Sequence, residues 1–293
     1  MSVRDGPVGL IGLGHLGRAI ATRLLDEGCA LLVWNRTADV CDALAEYGAE
    51  PTATLGELVE RCDAVLLCLD DTATVQEVVF GADGVAVFAA DEQILVDLSA
   101  TAPTATRWFA RELAQRSGMA WVDAPVVGDL EDAQQGSLLA TVGGAEADVA
   151  RVRPLLELFC ARVSRMGEVG TGQAARLCHA MLAGATALAL AETIAWAERN
   201  GVDTEQLAAA LAGAPADSLL LQRMGTRMAV REFDPLLVTT AALRHDLDLA
   251  IDCARASGAA LPLVALAAQL LHQHGLRAQA DADLSTLIEL YTE

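Results

Sequence analysis

The run Pro7-Val8-Gly9-Leu10-Ile11-Gly12-Leu13-Gly14-His15-Leu16-Gly17 constrains this chain more than any other. Val8 to Gly12 are all apolar or glycine, as in a strand buried on both faces of a sheet. Gly12, Gly14 and Gly17 then follow the spacing G-x-G-x-x-G, and Ile20, Ala21, Leu24 and Leu25 after them lie on one helical face. Strand, glycine turn and helix in that order form a dinucleotide-binding unit. The first glycine permits the tight turn, the second lets a pyrophosphate approach the backbone, and the third lets the helix lie close to the sheet. The helix N-terminus offers amide N–H groups and a partial positive charge to the phosphates. Gly12, Leu13, Gly14, His15, Leu16 and Gly17 are therefore expected cofactor contacts.

The next strand, Leu31 to Trp34, ends in Asn35-Arg36-Thr37. A site for NAD has an acid there to hold the ribose 2′-hydroxyl. Arg36 stands in its place, with Asn35 and Thr37 as hydrogen-bonding neighbours, and a guanidinium pairs with a 2′-phosphate in a bidentate way. The expected cofactor is NADP(H).

A formal net charge of −20 argues against binding to nucleic acid or to an anionic membrane surface. The seven cysteines are scattered, without a C-x-x-C pair, which fits a reduced, cytoplasmic protein with neither a disulfide framework nor a metal site. The first strand begins so close to Met1 that no signal peptide is expected. The apolar stretch Ala180 to Ala191 is too short for a membrane span and reads as a buried helix. All 20 residues counted as lysine plus arginine are arginine, so no lysine can act as acid, base or Schiff-base nucleophile.

Strand and helix patterns alternate through the first half. Strands are expected at Ala64–Leu69, Ile94–Asp97, Ala120–Asp123, Ser137–Val142 and Val163–Met166. Helices are expected at Ala38–Tyr47, Thr54–Arg61, Thr72–Phe80, Pro103–Gly118 and Glu146–Cys160. This alternation describes a Rossmann-type, doubly wound α/β sheet. Past Gly172 strand patterns stop. Helices are expected over Gln173–Asn200, Thr204–Leu211, Ser218–Val230, Val238–Ser257, Pro262–His272 and Ser285–Tyr291. The expected division is a Rossmann domain over 1–166 and an all-α domain over 167–293.

These residues, in this order, resemble the β-hydroxyacid dehydrogenase family, which includes 3-hydroxyisobutyrate dehydrogenase and tartronate semialdehyde reductase. The likeness runs through Gly12–Gly17, Val33–Thr37, Asp97-Leu98-Ser99, Asp123-Ala124-Pro125-Val126-Val127-Gly128-Asp129, Gly170–His179 and His245-Asp246-Leu247. It implies further cofactor contacts at Leu69, Asp70, Ser99 and His245, and substrate contacts at Val127, Gly128, Asp129 and Asp246. It also implies a homodimer built by the helical domain and a small-molecule substrate.

The departures from the family bear on chemistry. Arg176 stands where the family has its catalytic lysine, and His179 where it has asparagine. Arginine stays charged and is a poor proton donor, but it can orient a substrate or stabilise developing negative charge. His179 lies three residues further along the same helix and titrates near neutral pH, so it can take over the proton role. Val127 replaces a serine of the family's substrate segment, and Asp129 adds a negative charge beside it. The leading expectation is an NADPH-dependent oxidoreductase that passes hydride to a C=O or C=N carbon, with Arg176 and His179 as catalytic residues. Two alternatives stand beside it: an imine reductase, to which Asp129 would suit a cationic substrate, and an NADP-binding protein without turnover.

Overall fold

A computed structural model describes residues 6–236, 238–277 and 282–292. The chain divides into two compact units after Arg176. The sequence places its boundary slightly earlier, at 166/167. The first turn of the long helix Thr171–Arg199 is bonded into the first unit, which carries the division past that point.

The first unit holds a nine-stranded sheet. Its strands are β1 (Val8–Ile11), β2 (Leu31–Trp34), β3 (Glu50–Pro51), β4 (Ala64–Leu67), β5 (Ile94–Asp97), β6 (Ala120–Asp123), β7 (Val126–Val127), β8 (Leu138–Gly143) and β9 (Cys160–Gly167). The order β3-β2-β1-β4-β5-β6 is parallel throughout. Beyond it β8 runs antiparallel to β6 and β7 and parallel to β9. The helices are α1 (His15–Asp26), α2 (Asp39–Ala45), α3 (Leu55–Arg61), α4 (Thr72–Phe80), α5 (Val85–Phe88), α6 (Pro103–Ser117), α7 (Leu130–Gln135) and α8 (Glu146–Leu156).

Period-two alternation sends the strand side chains to two cores. Val8, Leu10, Ala64, Leu66, Ile94 and Val96 pack with Ile20 and Leu24 of α1 and Val152 of α8. Ile11, Val65, Leu67 and Leu95 pack on the other face with Leu58 of α3, Val75 of α4 and Phe109 of α6. Strands covered on both faces explain why the sequence there is apolar without interruption.

The second unit continues α9 (Thr171–Arg199) and adds α10 (Thr204–Ala210), α11 (Thr226–Val230), α12 (Thr240–Ser257) and α13 (Pro262–Arg277). The expected helix Ser218–Val230 holds a π-helical turn at Leu221–Gly225, and the expected last helix is a 3₁₀ segment, Leu284–Leu290. Ala180, Ala187, Ala191 and Ile194 form a buried stripe on α9 against Met224, Met228, Leu243, Leu247, Leu271 and Ile288. At 29 residues, α9 is longer than the apolar stretch picked out from sequence, and by length and composition alone it could cross a membrane. Its buried stripe and its bonded first turn give it the character of a core helix instead.

Candidate active site

The strand order reverses direction of winding between β1 and β4, and in such sheets ligands bind at the carboxyl ends of those strands. A cleft of about 440 Å³ opens there. Gly12, Leu13 and Gly14 after β1, Trp34 at the end of β2 with Asn35, Arg36 and Thr37 after it, and Cys68, Leu69 and Asp70 after β4 line it. Gly12 has φ +96°, and a Cβ on it would strike the Cys68 carbonyl. A Cβ on Gly17 would strike the Gly12 carbonyl, whereas one on Gly14 would meet open space. Each glycine thus has its own reason, and the open position is where a pyrophosphate approaches. The first helical bond of α1 runs from Arg18 N to Gly14 O at 3.0 Å, so the amides of His15, Leu16 and Gly17 precede the ladder. The residues present fit a dinucleotide.

Asn35 lines the cleft and also braces it. Its Oδ1 accepts from Leu13 N at 3.1 Å and its Nδ2 donates to Thr37 O at 3.1 Å. Both ends of the amide therefore brace the glycine turn and the β2 turn against each other. Arg36 is exposed on the cleft wall. Cys68 is pushed up to about 12 by burial, with Asp70 and Asp97 adding to the effect, so it stays a thiol.

A buried hydrogen-bonded chain leads away from the cleft. Leu69 N donates to Ser99 Oγ at 3.0 Å, and Ser99 N donates to Asp97 Oδ1 at 3.0 Å. Ser99 O accepts from Gln173 Nε2 at 2.7 Å, and Gln173 Oε1 accepts from Arg176 Nε at 3.3 Å. Ser99, an expected cofactor contact, thus also supports the strand-end loops. Arg176 is only 7% exposed within the chain.

Two acids at strand ends hold this region, and sequence reasoning did not single them out. Asp97 and Asp123 are register partners at the ends of β5 and β6. Asp97 also accepts from Thr101 Oγ1 at 2.9 Å. Burial pushes its carboxyl up to about 7 against these hydrogen bonds, with a further push from Asp123. Asp123 accepts from Gly170 N at 2.7 Å and from Gln173 N at 2.9 Å. It therefore caps α9 from another strand, and burial raises its carboxyl too. Thr141 Oγ1 donates to Gly172 O at 3.0 Å. A Cβ on Gly172 would meet the backbone oxygens of Thr141 and Asp123, so only glycine lets α9 start this close to the sheet. The signal available in sequence was a single acid closing each apolar strand.

Val127 lies in β7 opposite Leu139, and Gly128 follows at φ +145°. The Asp129 Oδ1 accepts from Asp132 N at 2.9 Å, while Asp132 Oδ2 accepts from Asp129 N at 3.0 Å. This reciprocal capping box starts α7, whose first turn also carries Glu131. His179 is exposed on α9, one turn beyond Arg176. His245 is exposed and Asp246 half-buried on α12 of the second unit. Among the described residues no cluster of three or more metal-ligating side chains occurs.

The fold and the cleft define a nicotinamide-dinucleotide oxidoreductase. Residues 7–167 match the NAD binding domain of 6-phosphogluconate dehydrogenase, and residues 170–291 match the family described as NAD-binding of NADP-dependent 3-hydroxyisobutyrate dehydrogenase. The chain is 32% identical over 282 residues to the 2-hydroxy-3-oxopropionate reductase of Escherichia coli (strain K12), covering 96% of each protein. A structure of Mycobacterium tuberculosis 3-hydroxyisobutyrate dehydrogenase with L-serine superposes with a TM-score of 0.91 at 26% identity, covering 100% of both chains. An imine reductase of Bacillus cereus superposes at 0.64 and 21% identity, covering 98% of this chain and 99% of that one, a likeness of fold alone. The chain belongs to the 3-hydroxyisobutyrate dehydrogenase family of NAD(P)-dependent oxidoreductases.

Proposed function

We propose that the chain is an NADPH-dependent reductase of the carbonyl group of a small 3-oxo acid. The observation that carries the choice of cofactor is Arg36 on the cleft wall, where an acid would select NAD. When bound, the cofactor supplies hydride from the nicotinamide ring. Gly12, Gly14 and the amides of His15, Leu16 and Gly17 hold its pyrophosphate, and Arg36 and Thr37 hold its 2′-phosphate.

Arg176 orients the substrate and stabilises negative charge on the carbonyl oxygen. His179 delivers the proton to that oxygen. Val127 and Gly128 shape the substrate segment. The reading is tested by following NADPH absorbance with 2-hydroxy-3-oxopropionate, 3-oxo acids, ketones and a cyclic imine such as 2-methyl-1-pyrroline. Turnover of the oxo acids supports it. Turnover of the imine alone replaces it with an imine reductase, and binding without any turnover replaces it with a cofactor-binding protein.

The same reading includes a homodimer through the helical domain and work in the cytoplasm. Leu182 is 72% and Trp196 65% exposed on α9, opposite a buried stripe of alanines. A large apolar side of that kind suits burial against a second copy. Light scattering at micromolar concentration should give twice the 30.6 kDa chain mass, and a monomer contradicts the dimer.

A further inference from the structure

We propose that Gln173 is a positioning residue that sets the plane of the Arg176 guanidinium relative to the cofactor cleft. The proposal rests on Arg176 acting at the reacting carbonyl. Gln173 is fully buried, and three of its polar groups are engaged at once. Its backbone N–H is fixed on Asp123 at 2.9 Å. Its side-chain nitrogen donates to Ser99 O at 2.7 Å, and its side-chain oxygen accepts from Arg176 Nε at 3.3 Å. Ser99 in turn accepts from the amide of Leu69, which lines the cleft. Three hydrogen bonds thus link the cleft wall to the guanidinium.

The chemistry of the two neighbours selects an amide. Ser99 O requires a donor and Arg176 Nε an acceptor, and a carboxamide presents both on one planar group. A carboxylate would set a second acceptor against Ser99 O. A hydrocarbon of the same size would leave two buried groups without this partner. The need for such a brace follows from arginine at this position. A guanidinium is a flat fork whose N–H directions turn with its plane. Fixing Nε therefore fixes where the Nη groups point. A reacting group misplaced by about 1 Å loses roughly 100-fold in rate.

The test uses the full-length protein with Gln173→Leu and Gln173→Glu, each alone and with Arg176→Ala. The first readout is the Arg176 Nε–H resonance in a ¹⁵N–¹H correlation spectrum, identified by its absence from Arg176→Lys. It should be slow to exchange in the parent, broadened or lost in Gln173→Leu, and retained in Gln173→Glu, which keeps the acceptor. The second readout is kcat on the carbonyl compound that the parent reduces fastest in the panel above. Gln173→Leu should lower it roughly 10- to 100-fold. NADPH affinity, from fluorescence titration, should stay within about twofold of the parent, as uniform binding is untouched. In the Arg176→Ala background the same change should cost no more than about twofold, because residues acting through one another are not additive.

A merely structural glutamine would slow both backgrounds equally, and that result overturns the proposal. So does a resonance indifferent to Gln173→Leu. Should Gln173→Leu fail to fold, the resonance in Gln173→Glu decides: it should persist there, and its loss overturns the proposal. If Arg176→Ala is slow and Gln173→Leu is as fast as the parent, the proposal alone falls. If Arg176→Ala is itself as fast as the parent, or the parent reduces no carbonyl, the reading of Arg176 falls and takes the proposal with it.

Discussion

Asp123 Oδ2, at the last position of β6, accepts the backbone N–H of Gln173 at 2.9 Å, and its Oδ1 accepts that of Gly170 at 2.7 Å. One carboxylate from the sheet thereby closes the N-terminus of the helix that carries Arg176 and His179. Asp123→Ala leaves both buried amides without that acceptor. Stability should fall by about 1.5–3 kcal/mol, the worth of hydrogen bonds to a charged group. Urea unfolding followed by circular dichroism measures this, and an unchanged midpoint contradicts the capping role.

Asp97 gives stability a pH dependence of opposite sign to that of an ion-paired acid. Its folded carboxyl titrates at about 7, above the unfolded value, because burial outweighs the hydrogen bonds from Ser99 and Thr101. The folded state therefore holds a proton that the unfolded chain gives up. The group's contribution is fully present below about pH 4 and is lost as pH rises through about 7. Asp97→Asn keeps the shape and removes the titration. The stability of the variant minus that of the parent should grow with pH across this window, by a few kcal/mol on the order of 1.4 per pK unit. A constant difference contradicts the assignment.

Arg36→Ala should weaken NADPH and leave NADH nearly unchanged. The loss should be about 1.5–3 kcal/mol, roughly 10- to 100-fold in Kd. Fluorescence titration of both cofactors decides it. Equal weakening of the two, or a parent that prefers NADH, contradicts the place given to Arg36.

His179→Ala should lower turnover of a carbonyl substrate by about 10²–10⁴-fold, the usual worth of a general acid. NADPH affinity should barely change. A variant as fast as the parent moves the proton source to water or another group. Arg176→Lys is the complementary change, since lysine can serve as the acid that arginine cannot.

The residues that were legible in the sequence are those whose neighbours in the chain determine them. Thr72–Phe80 and Leu31–Trp34 fall where periodicity puts them, and Thr54 caps α3 by accepting from Glu57 N. The two-residue strands Glu50–Pro51 and Val126–Val127 are too short to show a period. The helix Leu130–Gln135 carries hardly any apolar pattern and is marked only by Asp129 and Asp132 at capping-box spacing. The glycine turn was legible as a site, yet the use of Asn35 was not, because its partner is an amide 22 residues away. Asp97 bonds locally to Ser99 and Thr101, so only its burial depended on the fold, but Asp123 and Gln173 were hidden for the same reason. Their partners become neighbours only once β5, β6 and the start of α9 meet.

The most direct measurement follows one atom. NADPH carrying deuterium at both positions of C4 of the nicotinamide is incubated with the protein and 2-hydroxy-3-oxopropionate, and the product is weighed by mass spectrometry. Deuterium on the former carbonyl carbon, with NADPH consumed faster than NADH, is the expected result. A product without deuterium, or cofactor bound and never oxidised by any carbonyl compound, would contradict hydride transfer from this cleft to a carbonyl carbon.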